Sequence, residues 1–394
     1  MIELRGKYNN AKVFTDTFDS ETGSQLINLL SQEFVKGSQI RIMPDTHAGA
    51  GCVIGTTMTI KDKVCPNLVG GDIGCSVSAY RLKEKDIDLE KLDNVIRTYV
   101  PSGFNIHERA IAKSNADKIL APVDVDKAFK SLGTLGSGNH FLEVDRDKNG
   151  YLWLVVHTGS RHLGLEVANY YQNLAYKKLQ NDNVKDEIKQ LVAKYKSEGR
   201  TREIESAIKD LYKNKPKIIK DLAYVEGNDF NNYIHDMKLT QEHARINHKV
   251  IAETIVNNMD FHIKEAIHTT HNYIDTDNMI LRKGAVAANF LEPLIIPMNM
   301  RDGSLICVGK SNPDWNYSAP HGAGRIMSRG QAKENVKMED FKESMEGIFS
   351  TCVKESTLDE SPMAYKPMDE IIRNIKDTVE IVDVIKPIYN FKAN

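Results

Sequence analysis

The stretch Gly70-Gly71-Asp72-Ile73-Gly74-Cys75 sets an aspartate and a cysteine in a glycine-rich turn between short apolar runs. The surrounding residues, 40–80, alternate apolar runs with such turns throughout, which is typical of strands joined by loops. The same pattern returns at 131–164, where residues 151–157 are predicted to form a buried strand, and again at 284–310. Polar side chains carried by these loops are therefore expected at strand ends.

The composition changes between about 165 and 270, where glycine becomes scarce and lysine and glutamate dominate. Apolar residues recur there at helical spacing, as Leu174, Leu179 and Val192 illustrate. We interpret this segment as a charged helical arm. A solvated insertion is favoured over an RNA-binding arm because charge runs are usually surface, although its lysines could guide an RNA backbone.

A further helix is predicted near 365–380. The segments that carry candidate ligands are dispersed from 72 to 321 and must converge within one fold. A single domain over 1–394, interrupted by the helical arm, is the simplest architecture.

The composition excludes several classes of protein. A chain of 394 residues with 41% apolar and 27% charged residues is an ordinary globular protein. The N-terminus lacks a signal-peptide core, and no stretch approaches the roughly 18 apolar residues of a membrane span, so a cytoplasmic protein is expected. Five scattered cysteines argue against a disulfide framework. A net charge of -2 means that any RNA partner must meet a local basic surface.

A metal centre is predicted from five potential ligands in separate stretches, which are Asp72, Cys75, His140, His157 and His271. Carboxylate, thiolate and imidazole together suit a borderline divalent metal, and ligand type alone predicts zinc. The alternative for Cys75 is a small buried hydrophobe, and the alternative for His157 is a hydrogen-bonded histidine that ends a strand. The prediction depends on the constellation, because each single spacing is weak evidence.

Two further groups suggest phosphate chemistry. Asn139 and Glu143 flank His140, where an amide and a carboxylate could orient metal-bound oxygens, although Asn139 could instead only turn the chain. In Ser318–Arg325, glycines and Arg325 suit an anion, and His321 could attack phosphorus as a nucleophile. The alternative is a plain loop with a solvent-facing histidine. No Gly-x-x-x-x-Gly-Lys-Ser/Thr loop occurs, so a P-loop is not expected.

The chain resembles the RtcB-type RNA ligases, the GTP-consuming enzymes of RNA splicing and RNA repair. The resemblance runs nearly end to end. It is carried by Met43-Pro44-Asp45-Thr46-His47, Gly70 to Cys75, Gly133 to Phe141, His157 to Arg161, His271-Asn272, Arg282-Lys283-Gly284-Ala285 and His321 to Arg325. It implies an α+β fold of stacked β-sheets flanked by helices.

The resemblance also implies roles for individual residues. The five ligands would bind two manganese ions, with Cys75 shared between them, and we follow the family here rather than the zinc prediction. His321 would be guanylylated by GTP. Contacts to the nucleotide phosphates would come from Asn139, His140, Glu143, Gly322, Ala323, Gly324 and Arg325. Tyr365 and Lys392 would contact the guanosine.

The implied activity is GTP- and manganese-dependent joining of RNA 3'-phosphate or 2',3'-cyclic phosphate ends to 5'-hydroxyl ends through a histidine-GMP intermediate. RNA repair and tRNA splicing are the expected settings, and an archease-like activator is an expected partner. One alternative is a metal-dependent phosphodiesterase or phosphatase that acts on RNA ends without ligation. Another is an inactive RNA-binding protein, which would not need the ligands and His321 together.

Overall fold

The computed structural model describes residues 1–214 and 218–393, with side chains described for all of these except 181–186 and 212–214. The strands are β1 (Ile2–Arg5), β2 (Asn10–Val13), β3 (Ile40–His47), β4 (Ile54–Thr59), β5 (Lys63–Val64), β6 (Ser76–Leu82), β7 (Phe141–Arg146), β8 (Leu152–Thr158), β9 (Val225–Glu226), β10 (Ile263–Thr270), β11 (Asn272–Asp275), β12 (Ile280–Lys283), β13 (Ala285–Ala287), β14 (Pro293–Asn299), β15 (Gly303–Gly309), β16 (Ser318–Pro320) and β17 (Val379–Lys392). The α-helices are α1 (Ser20–Leu30), α2 (Leu89–Tyr99), α3 (Val125–Ser131), α4 (His162–Ser197), α5 (Ile204–Asn214), α6 (Gly227–Met259), α7 (Arg329–Asn335), α8 (Met338–Ser344) and α9 (Met368–Asn374).

The larger sheet is antiparallel, with the strand order β10-β6-β8-β7-β17-β15-β14. Every one of these strands contributes to a single apolar cluster, in which Ile267 of one edge strand packs with Ile295 of the other. Because residues of both edges share this cluster, the sheet must curl around it. The long strand β17 holds the middle of the sheet, pairing with β15 through its first half and with β7 through its second.

The convex face of this sheet packs against two helices. Successive residues of β8 alternate in direction, so that Val155 faces the inner cluster while Leu154 and Val156 face outward. The outward residues join Ile96 of α2 and Ile255 of α6 in a second core. Since both faces are covered, β8 is buried along its whole length.

A second sheet has the order β1-β2-β3-β4-β12-β11. Its apolar residues, such as Ile42, pack with Leu29 of α1, with Tyr171 of α4 and with Met237 of α6. Helix α6 therefore belongs to the cores of both sheets. It spans the region between them, where the candidate ligands also lie.

The α+β prediction is confirmed by this mixture of helices and sheets. The helical arm was predicted too long, however, because α6 ends at Met259 with Asp260 in the left-handed conformation and the chain continues into β10. Residues 263–270 carry β-branched side chains with inward Ile267 and Thr269, which is a strand pattern. The interpretation as a solvated insertion was also wrong for most of α6, whose face over Tyr233–Met259 is buried.

The predicted strand at 151–157 is confirmed as β8. The helix predicted near 365–380 is shorter, because Thr378 is followed by the strand β17. None of the described helices is long and apolar enough to cross a membrane.

Candidate active site

The order β10-β6-β8-β7 brings the predicted ligands to one edge of the larger sheet. Cys75 directly precedes β6, His140 directly precedes β7, and His271 directly follows β10. His157 lies near the end of β8, opposite Val77 and Phe141 in the two neighbouring strands. The antiparallel pairing therefore gathers four side chains that are far apart in the sequence.

Cys75 lies at the centre of this cluster. Its Sγ is 3.5 Å from Nε2 of His140 and 3.4 Å from Nε2 of His157. The candidate ligand atoms of these three buried residues all lie within 4.8 Å of one another, so the group could hold a metal ion. Asp72 extends the cluster, since its Oδ2 is 3.1 Å from Nε2 of His140.

Hydrogen bonds behind the cluster orient its members. Nδ1 of His140 donates to the carbonyl of Leu135 at 3.0 Å, which turns Nε2 towards Cys75. Oδ1 of Asp72 accepts from the amide of Ser160 at 3.2 Å, which leaves Oδ2 directed at His140. Backbone partners of this kind hold a ligand set in place before the metal binds.

The protonation of the histidines suits metal binding. Burial, followed by the charges of the neighbouring histidines, places the pKa values of His157 and His271 well below the usual range, so both imidazoles are neutral. Nδ1 of buried His271 has no hydrogen-bond partner in the described part of the chain, as expected of an atom reserved for a cation. Burial and the charge of Asp72 raise the pKa of the Cys75 thiol, so a bound metal would have to displace its proton.

The imidazoles continue from this cluster to His321. Ring centroids are 5.3 Å apart between His140 and His157, 5.2 Å between His157 and His271, and 4.8 Å between His271 and His321. The predicted ligands and the predicted nucleophile thus form one continuous row. The strand pair β13-β16 supports this arrangement, since Pro320 opposite Ala285 directly precedes His321.

His321 is held by the buried carboxylate of Asp45. Nδ1 of His321 lies 2.7 Å from Oδ2 of Asp45, and the same oxygen accepts from the amides of His321 and Gly322 at 3.1 and 3.2 Å. The carboxylate fixes the ring tautomer with hydrogen on Nδ1, so Nε2 keeps its lone pair. The Asp45 side chain is fully buried and that of His321 is 16% exposed, so only the imidazole is accessible to a substrate.

A cavity of about 820 Å³ opens in front of His321. This is within the usual size range for a small-molecule site. The sequence-predicted residues that line it are Asn139, Glu143, His157, His321, Gly322, Ala323, Gly324, Arg325, Tyr365 and Lys392. Asp72, Cys75, His140 and His271 lie outside this lining set, so the cluster of candidate ligands borders the cavity through His157.

The far wall of the cavity is organised by Glu360. This buried carboxylate accepts from Lys392 and, at 2.7 Å, from the Tyr365 hydroxyl, and it lies 3.3 Å from Arg325 and 2.7 Å from Arg329. Burial alone would raise its pKa, but the charges of Lys392 and Arg329 lower that pKa to about 2. Glu360 is therefore ionised and fixes the cationic side chains around it.

Glu143 lies beside a second buried carboxyl group, Asp145. Asn390 donates to Glu143, and burial raises the pKa of Glu143 to about 7. Burial and the charge of Glu143 raise the pKa of Asp145 well above its ordinary value. The pair therefore retains a proton near neutral pH.

A family model described as tRNA-splicing ligase RtcB matches residues 25–128 and 109–393. The chain belongs to the RtcB family. The RNA-splicing ligase RtcB of Escherichia coli (strain K12) is 29% identical to it, with 95% of each chain covered. The tRNA-splicing ligase RtcB of Aeropyrum pernix is 26% identical, covering 84% of this chain and 82% of the relative. The tRNA-splicing ligase RtcB of Nanoarchaeum equitans is 27% identical, covering 84% of this chain and 83% of the relative.

Sequence reasoning missed several residues of this RtcB family member that shape the site. Asn247 of α6 makes five hydrogen bonds to Gly133, Thr134, Thr158 and Gly159, which lie in the segments that carry His140 and His157. Nothing in a charged helical pattern distinguishes this asparagine. Glu360 was missed because its cationic partners lie elsewhere in the sequence, so that its role cannot be seen from its neighbours. Asp45 belongs to the motif Met43 to His47, which carries the family resemblance, but the sequence assigned no role to it.

Proposed function

We propose that this RtcB family member is a GTP-dependent RNA ligase. It joins RNA 3'-phosphate or 2',3'-cyclic phosphate ends to 5'-hydroxyl ends through a GMP adduct of His321, in RNA repair or tRNA splicing. The observation that carries the proposal is the Asp45–His321 pair facing a cavity of about 820 Å³. We propose one catalytic domain over 1–394, in which helix α6 packs against both sheets.

In the first step, Nε2 of His321 attacks the α-phosphorus of GTP. An N–P bond forms, the P–O bond to the β-phosphate breaks, and pyrophosphate leaves. The imidazole becomes cationic as the N–P bond forms, because Nδ1 keeps its proton. The carboxylate of Asp45, 2.7 Å away, stabilises that charge without accepting the proton.

The nucleotide would lie between His321 and the Glu360 wall. Gly322, Ala323, Gly324 and Arg325 line the approach to the phosphates, and Asn139 and Glu143 also line the cavity. His140, which lies behind this lining, would complete the phosphate contacts. Tyr365 and Lys392 would contact the guanosine. Because Glu360 orients both of these residues, a cationic donor and an aromatic ring are already in position before GTP binds.

Asp72, Cys75, His140, His157 and His271 would hold two Mn²⁺ ions, which supply charge neutralisation at the phosphoryl oxygens when bound. The neutral imidazoles and the unpartnered Nδ1 of His271 fit such ions. The softness of the thiolate also permits zinc, so the working metal depends on availability as well as affinity.

The remaining steps use the RNA ends. Water opens a 2',3'-cyclic phosphate to a 3'-phosphate. An oxygen of that 3'-phosphate attacks the phosphorus of the adduct, the N–P bond breaks, and His321 recovers its lone pair. The 5'-hydroxyl of the other end then attacks the 3'-phosphoryl group, loses its proton, and releases GMP to leave a 3',5' linkage.

The test is incubation with Mn²⁺ and GTP radiolabelled at the α-phosphate, followed by a denaturing gel and acid treatment. We expect an acid-labile label on the wild type and none on His321→Ala. His162→Ala is the matched control, because His162 is exposed on α4 and pairs with Glu166 of the same helix, at 3.0 Å. It should label like the wild type.

Ligation of defined RNA ends follows in the same samples. If metal-loaded protein takes up no label even with an archease-like activator, the ligase proposal is wrong. Release of phosphate from RNA ends under those conditions would instead identify a phosphodiesterase or phosphatase.

A further inference from the structure

Phe104 is an aromatic side chain that the fold leaves in water. Its side chain is 100% exposed, the highest value among the large apolar residues of the described chain. Leaving a phenylalanine unburied forgoes roughly 2 kcal/mol of burial free energy. An exposed ring beside a functional site is therefore a candidate for contact with a ligand.

The loop that carries Phe104 is joined to the segment that carries His140. The amide of Leu135 donates to the carbonyl of Pro101 at 2.9 Å, and the amide of Gly103 donates to the carbonyl of Gly136 at 2.9 Å. Phe104 thus directly follows Gly103, whose backbone pairs with the segment that leads to His140.

Arg161 links the same loop to the metal cluster. Its NH2 donates to the carbonyl of Gly103 at 3.4 Å, while its NH1 lies 3.3 Å from Nδ1 of His140. The loop that carries Phe104 is therefore tied to the residues around His140, which is where the phosphorylated end of an RNA would have to arrive.

The backbone around the ring is fixed. The amide of His107 donates to the carbonyl of Lys130 at 3.0 Å, and Oγ of Ser114 lies 2.9 Å from Nδ1 of buried His243. A loop held at several points presents its exposed side chains in a defined place. Stacking then costs little ordering entropy.

Two cationic side chains lie on the same loop as Phe104. Arg109 and Lys113 are exposed on the same loop, and neither forms an ion pair within residues 1–214 and 218–393. Glu108 is the one acidic residue between them and Phe104. Aromatic rings that stack on bases, beside basic residues that meet phosphates, are the usual composition of a surface for single-stranded RNA.

We propose that Phe104 stacks on an unpaired base next to the reacting RNA end, with Arg109 and Lys113 contacting the adjoining phosphates. The inference rests on the proposed RNA ligase function and adds a determinant of RNA binding to it. It commits to RNA as the occupant, because the loop adjoins the cluster at which RNA ends would react.

The test measures binding of a single-stranded RNA decamer with a 3'-phosphate to the full chain, using Phe104→Ala, Phe104→Trp and Phe290→Ala. We expect roughly 5- to 100-fold weaker binding for Phe104→Ala. Phe104→Trp should bind at least as tightly as the wild type. Phe290 is the matched control, because it is also an exposed aromatic residue, at 72%, and lies between β13 and β14 rather than on the loop that pairs with the segment of His140.

Decamers with an abasic site at each of the last three positions locate the stacked base. At the stacked position, wild type and Phe104→Ala should bind the abasic RNA equally. Equal affinities of Phe104→Ala and wild type for intact RNA would overturn the proposal. The proposal would also be overturned if Phe104→Ala bound every abasic RNA more weakly than the wild type by the same factor. It would likewise be overturned if the variant lost binding to a protein activator but not to RNA.

Guanylylation of His321 involves no RNA and is measured in parallel. A fall in guanylylation for Phe104→Ala would indicate a structural effect of the loop and would also overturn the proposal. If the wild type took up no GMP label, the ligase function would be contradicted. The RNA affinities of the wild type and Phe104→Ala would still test whether Phe104 contacts RNA.

Discussion

Gly159 faces the carboxylate of Asp72 so closely that a β-carbon at position 159 would lie 2.4 Å from Oδ1 of Asp72. No side chain fits at that distance, so Asp72 can approach His140 only because residue 159 is glycine. The amide of Ser160, which follows directly, then donates to the same oxygen.

Gly159→Ala should therefore weaken Mn²⁺ binding by roughly 10- to 100-fold, because it displaces Asp72 from the cluster. Metal affinity measured by electron paramagnetic resonance checks this. Gly330→Ala is the control, since a β-carbon at position 330 meets nothing within 4 Å and should leave the affinity unchanged. Unchanged affinity in Gly159→Ala would show that Asp72 is not a ligand.

Asp45→Asn should slow guanylylation of His321 by roughly 100-fold or more, because an amide cannot stabilise the cationic imidazole as a carboxylate does. GTP binding, measured separately by calorimetry, should change little, since the Asp45 side chain lies fully buried behind the ring. Asp314→Asn is the comparison, because this surface carboxylate pairs with Lys12 and Arg41 away from the cavity. A normal rate in Asp45→Asn would remove Asp45 from the mechanism.

Asn247→Leu should lower the free energy of unfolding by roughly 2–4 kcal/mol, because it leaves several buried backbone groups without partners. It should also reduce metal affinity, since the segments of His140 and His157 lose a common anchor. Chemical denaturation and metal titration measure the two effects. Asn257→Leu, at an exposed position of the same helix, should change neither by more than about 0.5 kcal/mol.

The Glu143–Asp145 pair should make a contribution to stability that falls as the pH rises from about 5 to 8. The pKa of Glu143 is raised from 4.5 to about 7 and that of Asp145 is raised well above its ordinary value, so in this window the two folded carboxyl groups bind more protons than the same groups in the unfolded chain. Their contribution to the free energy of unfolding decreases with rising pH, by roughly 1–3 kcal/mol, while buried histidines with lowered pKa values, such as His157 and His271, act in the opposite direction. Denaturation at several pH values measures the slope.

Asp145→Asn should make the free energy of unfolding fall less, or rise more, with increasing pH than in the wild type, because one of the two raised carboxyl groups is removed. Asp147→Asn is the control: backbone and side-chain hydrogen bonds keep the pKa of Asp147 below its ordinary value, so it stays ionised throughout. It should shift stability without altering the slope. An unchanged slope in Asp145→Asn would mean that the pair does not hold the extra proton.

The sequence was informative where the type of a residue indicates its chemistry, as it does for cysteine and histidine among glycines. The candidate ligands and His321 were singled out from the sequence, and the structure brings the imidazoles among them into one row. Strand β8 was recognised because a buried strand is a continuous apolar run. In contrast, Asn247 and Glu360 depend on partners that are far away in the sequence, and a polar residue in a charged segment looks like surface. The limit of the helical arm at Met259 was missed because β10 alternates only over a few residues.

Strand β17 has a consequence for biosynthesis. It separates β7 from β15 in the sheet order, yet it follows β7 by more than 200 residues along the chain. While the protein is being translated, β7 and β15 therefore both have an open edge until residues 379–392 emerge. Open edges invite pairing with other chains, and such distant pairings form slowly. The nascent chain should thus need protection from a chaperone until the strand that ends at Lys392 completes the sheet and, with it, a wall of the cavity.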